Sequence, residues 1–309
     1  MSNSALVTGG AGFIGSHLVD ALLADGYEVS VVDDLSSGDA RNVPEQARLH
    51  TLDITDRAAL HAAIEQQAPR AIFHLAAQAS VTASVENPGR DCEVNVQGTL
   101  NVVDVAGRLG IPVVFTSTGG ALYGDAAPRP TPEERIPAPL SPYGASKWAA
   151  EAYVNTWSLA GNVLHAVCRL GNVYGPRQNP HGEAGVVAIF SHRLHVGEAP
   201  TLYGDGAPTR DYVYVEDVVR ALLAASGRRG TFNIATGVET DVSTLWNALR
   251  DAAGSALEPQ LAALRPGELQ HSCLDVSRAE RELGWRPEVS IEDGLRRTYA
   301  ALVAEFEAR

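Results

Sequence analysis

A mostly parallel, doubly wound α/β sheet with a smaller α/β region after it is the fold class that three features of the sequence predict. Strand-like and helix-like runs alternate through roughly the first 170 residues, a glycine-rich turn joins the first strand to the first helix, and the second strand ends in an acidic pair, Asp33-Asp34. Alternation on that scale is how crossover-connected parallel strands are written.

The elements follow in order. Residues 5–8 are a short β run that stops at glycine. Ile14, Leu18, Leu22 and Leu23 then recur at helical spacing, and Gly26 ends that helix before "EVSVVD", the second strand. Further strands are expected at 48–52, 71–75, 113–117 and 163–169, with helices at 57–67, 95–109 and 142–159 between most of them. After about residue 171 the texture changes to "GNVYGPRQNPHGEAG", rich in Gly, Pro and Asn. Shorter elements follow: a helix at 186–195, a strand at 201–203, and a strand then helix over 212–225. "TFNIATG" is a strand able to rejoin the first sheet, with two more helices at 242–253 and from 291. This divides the chain into residues 1–170, with part of 210–237 rejoining them, and residues 171–309. The proline-rich "APRPTPEERIPAPLSP" lies between two chemical motifs and reads as a loop over a site rather than a linker.

Bulk properties narrow the function. The 309 residues are 45% hydrophobic, an ordinary globular composition able to bury a sizeable core. The net charge of -13 argues against binding nucleic acid or anionic membrane, so an anionic ligand needs local arginines. No uncharged apolar run nears the roughly 18 residues that span a bilayer. "MSNSALVTGG" lacks the basic and apolar segments of a signal peptide. Cys92, Cys168 and Cys273 are far apart, odd in number and without zinc spacing, as expected of reduced thiols in a cytoplasmic protein. The nine histidines show no metal-ligand spacing, and His17 and His74 read as packing residues. No metal is expected.

"TGGAGFIG" places Gly9, Gly12 and Gly15 three apart, with Phe13 and Ile14 opening the helix. Such a turn brings backbone N–H groups and a helix N-terminus against a pyrophosphate. Asp33 lies 18 residues beyond Gly15, at the end of the second strand. A carboxylate there accepts hydrogen bonds from a ribose and repels a 2′-phosphate, so NAD is favoured over NADP. Together these describe a Rossmann-type nucleotide site. Asp53 and Ile54, in "LDIT", are placed to meet the adenine.

"SPYGASK" holds Lys147, the only lysine beside 23 arginines. Ser141 is a good N-cap and Pro142 suits the first helical position, which puts Tyr143 and Lys147 on one face, one turn apart. A tyrosine titrates near 10, so use as a base at neutral pH requires a shift worth roughly 4 kcal/mol. An ammonium about 4 Å away at an effective dielectric of about 20 supplies that order of energy. Lysine offers a compact ammonium where arginine's planar fork fits poorly. A hydroxyl partner is expected from the end of the strand "VVFTST", either Thr118 or Ser117.

These residues resemble the extended short-chain dehydrogenase/reductases, and within them nucleotide-sugar 4-epimerases of the UDP-glucose type. The likeness covers nearly the whole chain: "TGGAGFIGSH", "VVDDLSSG", "HLAAQASV", "NVQGTLNV", "STGGALYG", "SPYGASK", "GNVYGPRQ", "DGAPTRDYVYVEDV" and "LGWRP". The resemblance implies a tightly bound NAD regenerated at each turnover. Tyr143 is then the base at the sugar's 4-hydroxyl, with Lys147 orienting the nicotinamide ribose and depressing the tyrosine's pKa. It implies Thr118 as the catalytic hydroxyl, although the chain carries one glycine more than the family's usual spacing before Tyr123. It further implies Leu75, Ala76, Ala77, Asn95 and Thr116 near NAD. On the nucleotide sugar it implies Asn172, Arg210 and Arg265 at the diphosphate, Glu268 at the ribose, Gly185 and Val186 through backbone, and Tyr203 near the base. Ser272 falls where some members place a tyrosine beside the sugar's C2 substituent, and a small residue leaves room for an N-acetyl group. Members are usually homodimers, through helices corresponding to 95–109 and 143–159.

Two alternatives stay on the same fold. A 4,6-dehydratase needs an acid and base pair after the catalytic threonine, where this chain has Gly119-Gly120-Ala121. An epimerase of dTDP-glucose, UDP-N-acetylglucosamine or UDP-glucuronate, or a uronate decarboxylase, is harder to separate. Arg177 is the candidate for binding a carboxylate. A non-enzymatic NAD-binding regulator would typically lack the tyrosine or the lysine.

Overall fold

In the computed structural model, which describes residues 3–180, 185–263 and 269–307, the first part of the chain alternates as expected. It runs β1 (Ser4–Thr8), α1 (Phe13–Ala24), β2 (Glu28–Asp33), β3 (Arg48–Thr51), α2 (Arg57–Gln67), β4 (Ala71–His74), α3 (Val81–Glu86) and α4 (Pro88–Cys92). A single widened π turn at Glu93–Gly98 leads into α5 (Thr99–Leu109), followed by β5 (Val113–Thr118), α6 (Pro142–Ala160) and β6 (Ala166–Leu170). Asn87 starts α4 by accepting from Arg90 N–H, with Pro88 in the first turn, so the helix expected from residue 95 is the end of a longer rod. The strand expected from 163 begins at Ala166. Residues 163–165 are held by Ser158, which donates to Val163 O and accepts from His165 N–H.

Beyond β6 the order is β7 (Asn172–Tyr174), α7 (Val186–His195), β8 (Thr201–Tyr203), β9 (Thr209–Arg210), β10 (Tyr212–Tyr214), α8 (Val215–Ala225) and β11 (Gly230–Ile234). Then come β12 (Thr240–Asp241), α9 (Val242–Ala252), β13 (Gln260–Ala262), α10 (Ser277–Leu283) and α11 (Ile291–Glu307).

Seven strands form one sheet in the order β11-β6-β5-β4-β1-β2-β3, all paired parallel. The direction of winding reverses between β1 and β4, and a crevice opens at their carboxyl ends, where ligands bind in such sheets. β11 pairs with β6 from Gly230↔Ala166 to Ile234↔Leu170, so "TFNIATG" does rejoin this sheet. One face buries Leu18, Leu22, Phe73, Val218, Leu222 and Phe232 under α1 and α8. The other packs on α2, α5 and α6 through Leu60, Ile64, Val102 and Phe115. Each such fully buried side chain contributes about 1.5–3 kcal/mol of transfer free energy.

The remaining C-terminal elements gather around Phe190, Leu202, Trp246, Leu249 and Leu295, with Phe190 and Trp246 edge to face at 5.5 Å. "LGWRP" is a docking segment: Trp285 donates its indole N–H to Asp217 O (2.9 Å), and the Asp217 carboxylate accepts from Glu288 and Val289 N–H (3.1 Å each). No helix among the described residues is long and apolar enough to cross a membrane.

Candidate active site

The crevice at the carboxyl ends of β1, β2 and β4 is a groove of about 990 Å³. That is the upper end of the range for small-molecule sites, as a dinucleotide requires. Gly9, Gly12, Phe13, Ile14, Gly15, Asp33, Asp34, Asp53, Ile54, Leu75, Ala76, Ala77 and Thr116 all line it. The glycines differ in function. A Cβ at Gly15 would overlap the Gly9 carbonyl, so glycine there lets α1 pack on the turn. A Cβ at Gly12 would meet only Gly9 O at 3.3 Å and otherwise project into the groove, which glycine keeps free for a ligand. This cradle, beside an α1 N-terminus with no side-chain cap, fits a pyrophosphate.

Asp33 is buried at the end of β2 and its carboxylate accepts from Ala11 N–H and Leu35 N–H (2.9 Å each). It therefore also ties the glycine turn to its own strand. Burial pushes its pKa up and these two donors pull it down. Asp34 accepts from Ser36, and Asp53 pairs with Arg90 (2.8 Å). Asn95 does not line the groove; it lies behind it, buried. Its Oδ1 accepts from Gln78 N–H (2.9 Å), and its Nδ2 donates to Gln78 O (2.9 Å), Asp91 Oδ1 (3.0 Å) and Ser146 Oγ (3.1 Å). Gln78 is a groove residue, so Asn95 shapes the wall from beneath.

Ser141 caps α6 by accepting from Gly144 N–H (3.2 Å), and Pro142 occupies the first turn. Tyr143 and Lys147 follow one turn apart. Thr118, the last residue of β5, accepts from Ala121 N–H (3.1 Å), and its hydroxyl is near enough to the Tyr143 phenol to favour the phenolate. Ser117, one residue earlier, has a buried hydroxyl without a partner among the described residues and makes no such contact. The geometry thus sets Thr118, rather than Ser117, against the tyrosine.

Burial pushes Tyr143 up to about 12; the Thr118 hydrogen bond favours the phenolate and the Asp91 charge opposes it. The Lys147 ammonium is buried one turn further along α6. There it donates to Thr116 O (2.9 Å) and lies 4.8 Å from the Phe115 ring centre. Burial pulls Lys147 down to about 8, with Asp91 and Glu151 holding it up.

On the side facing α7 and β9, the loop after β5 is pressed between other segments. A Cβ at Gly119 would run into the Leu274 side chain, and one at Gly120 would sit 3.1 Å from Asn172 Oδ1. The adjacent glycines therefore let Asn172 and residues 271–274 close on Thr118. Arg210 donates to Thr209 O (2.8 Å) and Gln270 O (3.3 Å), and Ser272 N–H bonds Thr209 O (3.2 Å), which places Ser272 beside Arg210. Gly185 stands at the N-cap position of α7 without a side-chain cap, Val186 opens that helix, and Tyr203 ends β8. Arg265 and Glu268 lie outside the described residues.

Arg177 is not a carboxylate pocket for a sugar. It pairs with Asp20 of α1 (2.6 Å) and lines the cofactor groove. Sequence reasoning also missed Gln78, Ser80, Arg90 and Asp91 as groove or supporting residues. Asp91 precedes Asn95 by four, one helical turn, and the N-cap signal at Asn87-Pro88 was the clue that the rod starts early.

Comparison with known proteins agrees with this geometry. Residues 5–235 match the NAD dependent epimerase/dehydratase family. The chain is 46% identical over 302 residues to the UDP-glucose 4-epimerase of Mycolicibacterium smegmatis, covering 95% of this chain and 96% of that one. It superimposes with a TM-score of 0.96 on the crystal structure of UDP-glucose 4-epimerase with UDP-glucose from Thermotoga maritima (45% identity; 98% and 99% of the two chains). With the Thermus thermophilus UDP-glucose 4-epimerase complex with NAD the TM-score is 0.90 (43% identity; 97% and 98%). A family match over most of the chain, joined to a glycine turn, an acidic strand end and a Tyr–Thr pair beside one groove, leads to one conclusion: the chain belongs to the NAD dependent epimerase/dehydratase family, an enzyme with NAD as its cofactor.

Proposed function

We propose that the protein inverts C4 of a nucleotide-diphosphate sugar, UDP-glucose and UDP-galactose first, through a transient 4-keto sugar. The observation that carries this reading is Thr118 beside the Tyr143 phenol, with Lys147 one turn further along α6 and bonded to the carbonyl of Thr116, a groove residue. When bound, oxidised NAD supplies the hydride acceptor and a positive charge. Gly9, Gly12 and Gly15 receive its pyrophosphate and Asp33 its adenosine ribose. Tyr143 takes the proton of the 4-hydroxyl, and Thr118, beside the phenol, holds that hydroxyl in line. Because burial keeps Tyr143 high, added positive charge is what makes it a base near neutrality. Lys147 contributes part of that charge and turns its ammonium to the nicotinamide ribose.

Residues 1–170, with β11, act as the cofactor domain and 171–309 as the nucleotide-sugar domain. There Asn172, Arg210 and Arg265 serve the diphosphate, with Glu268, Gly185, Val186 and Tyr203 around the nucleoside. The small Ser272 admits an N-acetyl group at C2. Trp148 and Tyr153 stay exposed on α6, and Leu109 on α5, which supports a homodimer across these helices. Three unpaired cysteines support a cytoplasmic location. The test is incubation of the purified protein with UDP-galactose and UDP-glucose, followed by NMR of the anomeric protons. Interconversion in both directions is expected; no C4 inversion with these or with the dTDP and N-acetyl analogues overturns the reading.

A further inference from the structure

Asp91, on α4, has no part in the chemistry proposed above, yet it is 1% exposed and carries an acid into the protein. Its Oδ1 accepts from Gln78 Nε2 (2.9 Å) and Asn95 Nδ2 (3.0 Å). Its Oδ2 is buried with no hydrogen-bond partner among the described residues. Holding Gln78 and Asn95 needs one acceptor oxygen, which a neutral amide would provide without a buried charge. A carboxylate oxygen left dry is unfavourable, so the charge itself requires a reason.

The surroundings supply one. α4 packs against α6, and Asn95 links Asp91 to Ser146 Oγ, which donates to Tyr143 O (3.0 Å). Among the described residues Lys147 donates one hydrogen bond, to the backbone carbonyl of Thr116, so its positive charge depends on carboxylates further away, Asp91 ahead of Glu151. We propose that Asp91 is a positioning residue whose buried negative charge keeps Lys147 in its ammonium form beside Tyr143, an inference that rests on the C4 chemistry proposed above. The other ionisable groups on the elements packed around it are Glu86 on α3, Arg90 and Cys92 on α4, Glu93 on the π turn, and Tyr143, Lys147, Glu151 and Tyr153 on α6. Arg90 is engaged by Asp53 and Glu93, and does not neutralise Asp91. His74, on β4, is buried and neutral.

The only lysine in the chain makes this directly measurable. Protein grown on lysine labelled with ¹³C at Cε gives one side-chain resonance, and its titration midpoint reports the Lys147 ammonium. In the unmodified protein the midpoint is expected at about 8. Asp91→Asn keeps an acceptor for Gln78 and Asn95 but removes the charge. It should lower the midpoint by roughly half a pH unit or more and carry both limbs of the kcat–pH profile to lower pH. Asp91→Glu, which keeps the charge, should restore the midpoint toward its original value. An Asp91→Asn midpoint equal to the unmodified one overturns the proposal. If Asp91→Asn does not fold, the unmodified protein still decides: a midpoint below about 6.5 means that no charge supports the ammonium. The midpoint measurements do not depend on sugar turnover, so the proposal can fail while the C4 reading stands.

Discussion

Two positive charges are buried one helical turn apart along α6, and they are solvated in opposite ways. Arg169, on β6, meets Glu151 of α6 with its Nε bonded to both carboxylate oxygens (3.0 and 3.1 Å) and its Nη2 to Oε2 (2.6 Å). Its Nη1 donates to Tyr123 OH (2.6 Å) and Glu133 O (3.1 Å). Tyr123 in turn donates to Asn233 Oδ1 (3.1 Å), and Asn233 holds Thr131 O and Asp275 O. This closed network pins the proline-rich loop to the sheet. Lys147, one turn before Glu151, has three N–H bonds and a single carbonyl acceptor. The contrast separates purposes: a buried charge with every guanidinium nitrogen engaged by protein serves the fold, and one with a single protein acceptor among the described residues serves what binds beside it.

The comparison can be broken first at its reactive end. Tyr143→Phe should lower kcat about a thousandfold or more with the thermal melt little changed, because it removes a proton acceptor without a packing change. Turnover in the NMR assay within tenfold of the unmodified enzyme would remove Tyr143 from the chemistry. At the structural end, Arg169→Ala leaves Glu151 buried and alone and should cost about 3–5 kcal/mol of stability, read by urea unfolding. A loss under about 1 kcal/mol would mean the pair is not the tie described. Lys147→Arg keeps the positive charge and should still lose roughly a hundredfold in kcat with stability nearly intact, since a planar fork cannot replace the ammonium.

Smaller effects sharpen the contrast. His74 is a third buried base between these elements, bonded to Thr8 Oγ1 (2.7 Å) and Thr99 Oγ1 (3.0 Å), and stacked on Phe115. Burial, aided by Lys147, pulls it down to about 3. Its folded pKa lies below its unfolded value near 6.5, so its contribution is complete above pH 6.5 and is lost as pH falls toward 3. Unfolding free energy should drop by up to about 1.4 kcal/mol per pH unit in that window, and His74→Asn should flatten the slope. The mildest change is Ser272→Tyr, expected to suppress turnover of N-acetylhexosamine nucleotides while leaving plain hexoses within a few fold.

How much was legible divides along the same line. The glycine turn, Asp33 and the Tyr143–Lys147 spacing are local patterns, readable because each is set by one turn or one helix. The helix ranges 57–67 and 186–195 were readable for the same reason, from local periodicity, with a side-chain cap at Asp56 for the first. The Arg169–Glu151–Tyr123–Asn233 network was not, since its members are up to 110 residues apart and meet only through the sheet order. Arg177 was misread because its partner, Asp20, lies 157 residues away on α1. Spacing also places Tyr143 and Lys147 on one face without saying how deep each is buried: the lysine is buried and the tyrosine only partly so.

The account's central claim is that a hydride leaves C4 of the sugar and returns to the same carbon without meeting solvent. UDP-galactose deuterated at C4 tests it: after turnover in ordinary water, the UDP-glucose formed should carry the deuterium at C4. Product with hydrogen at C4, from exchange with solvent, would contradict it.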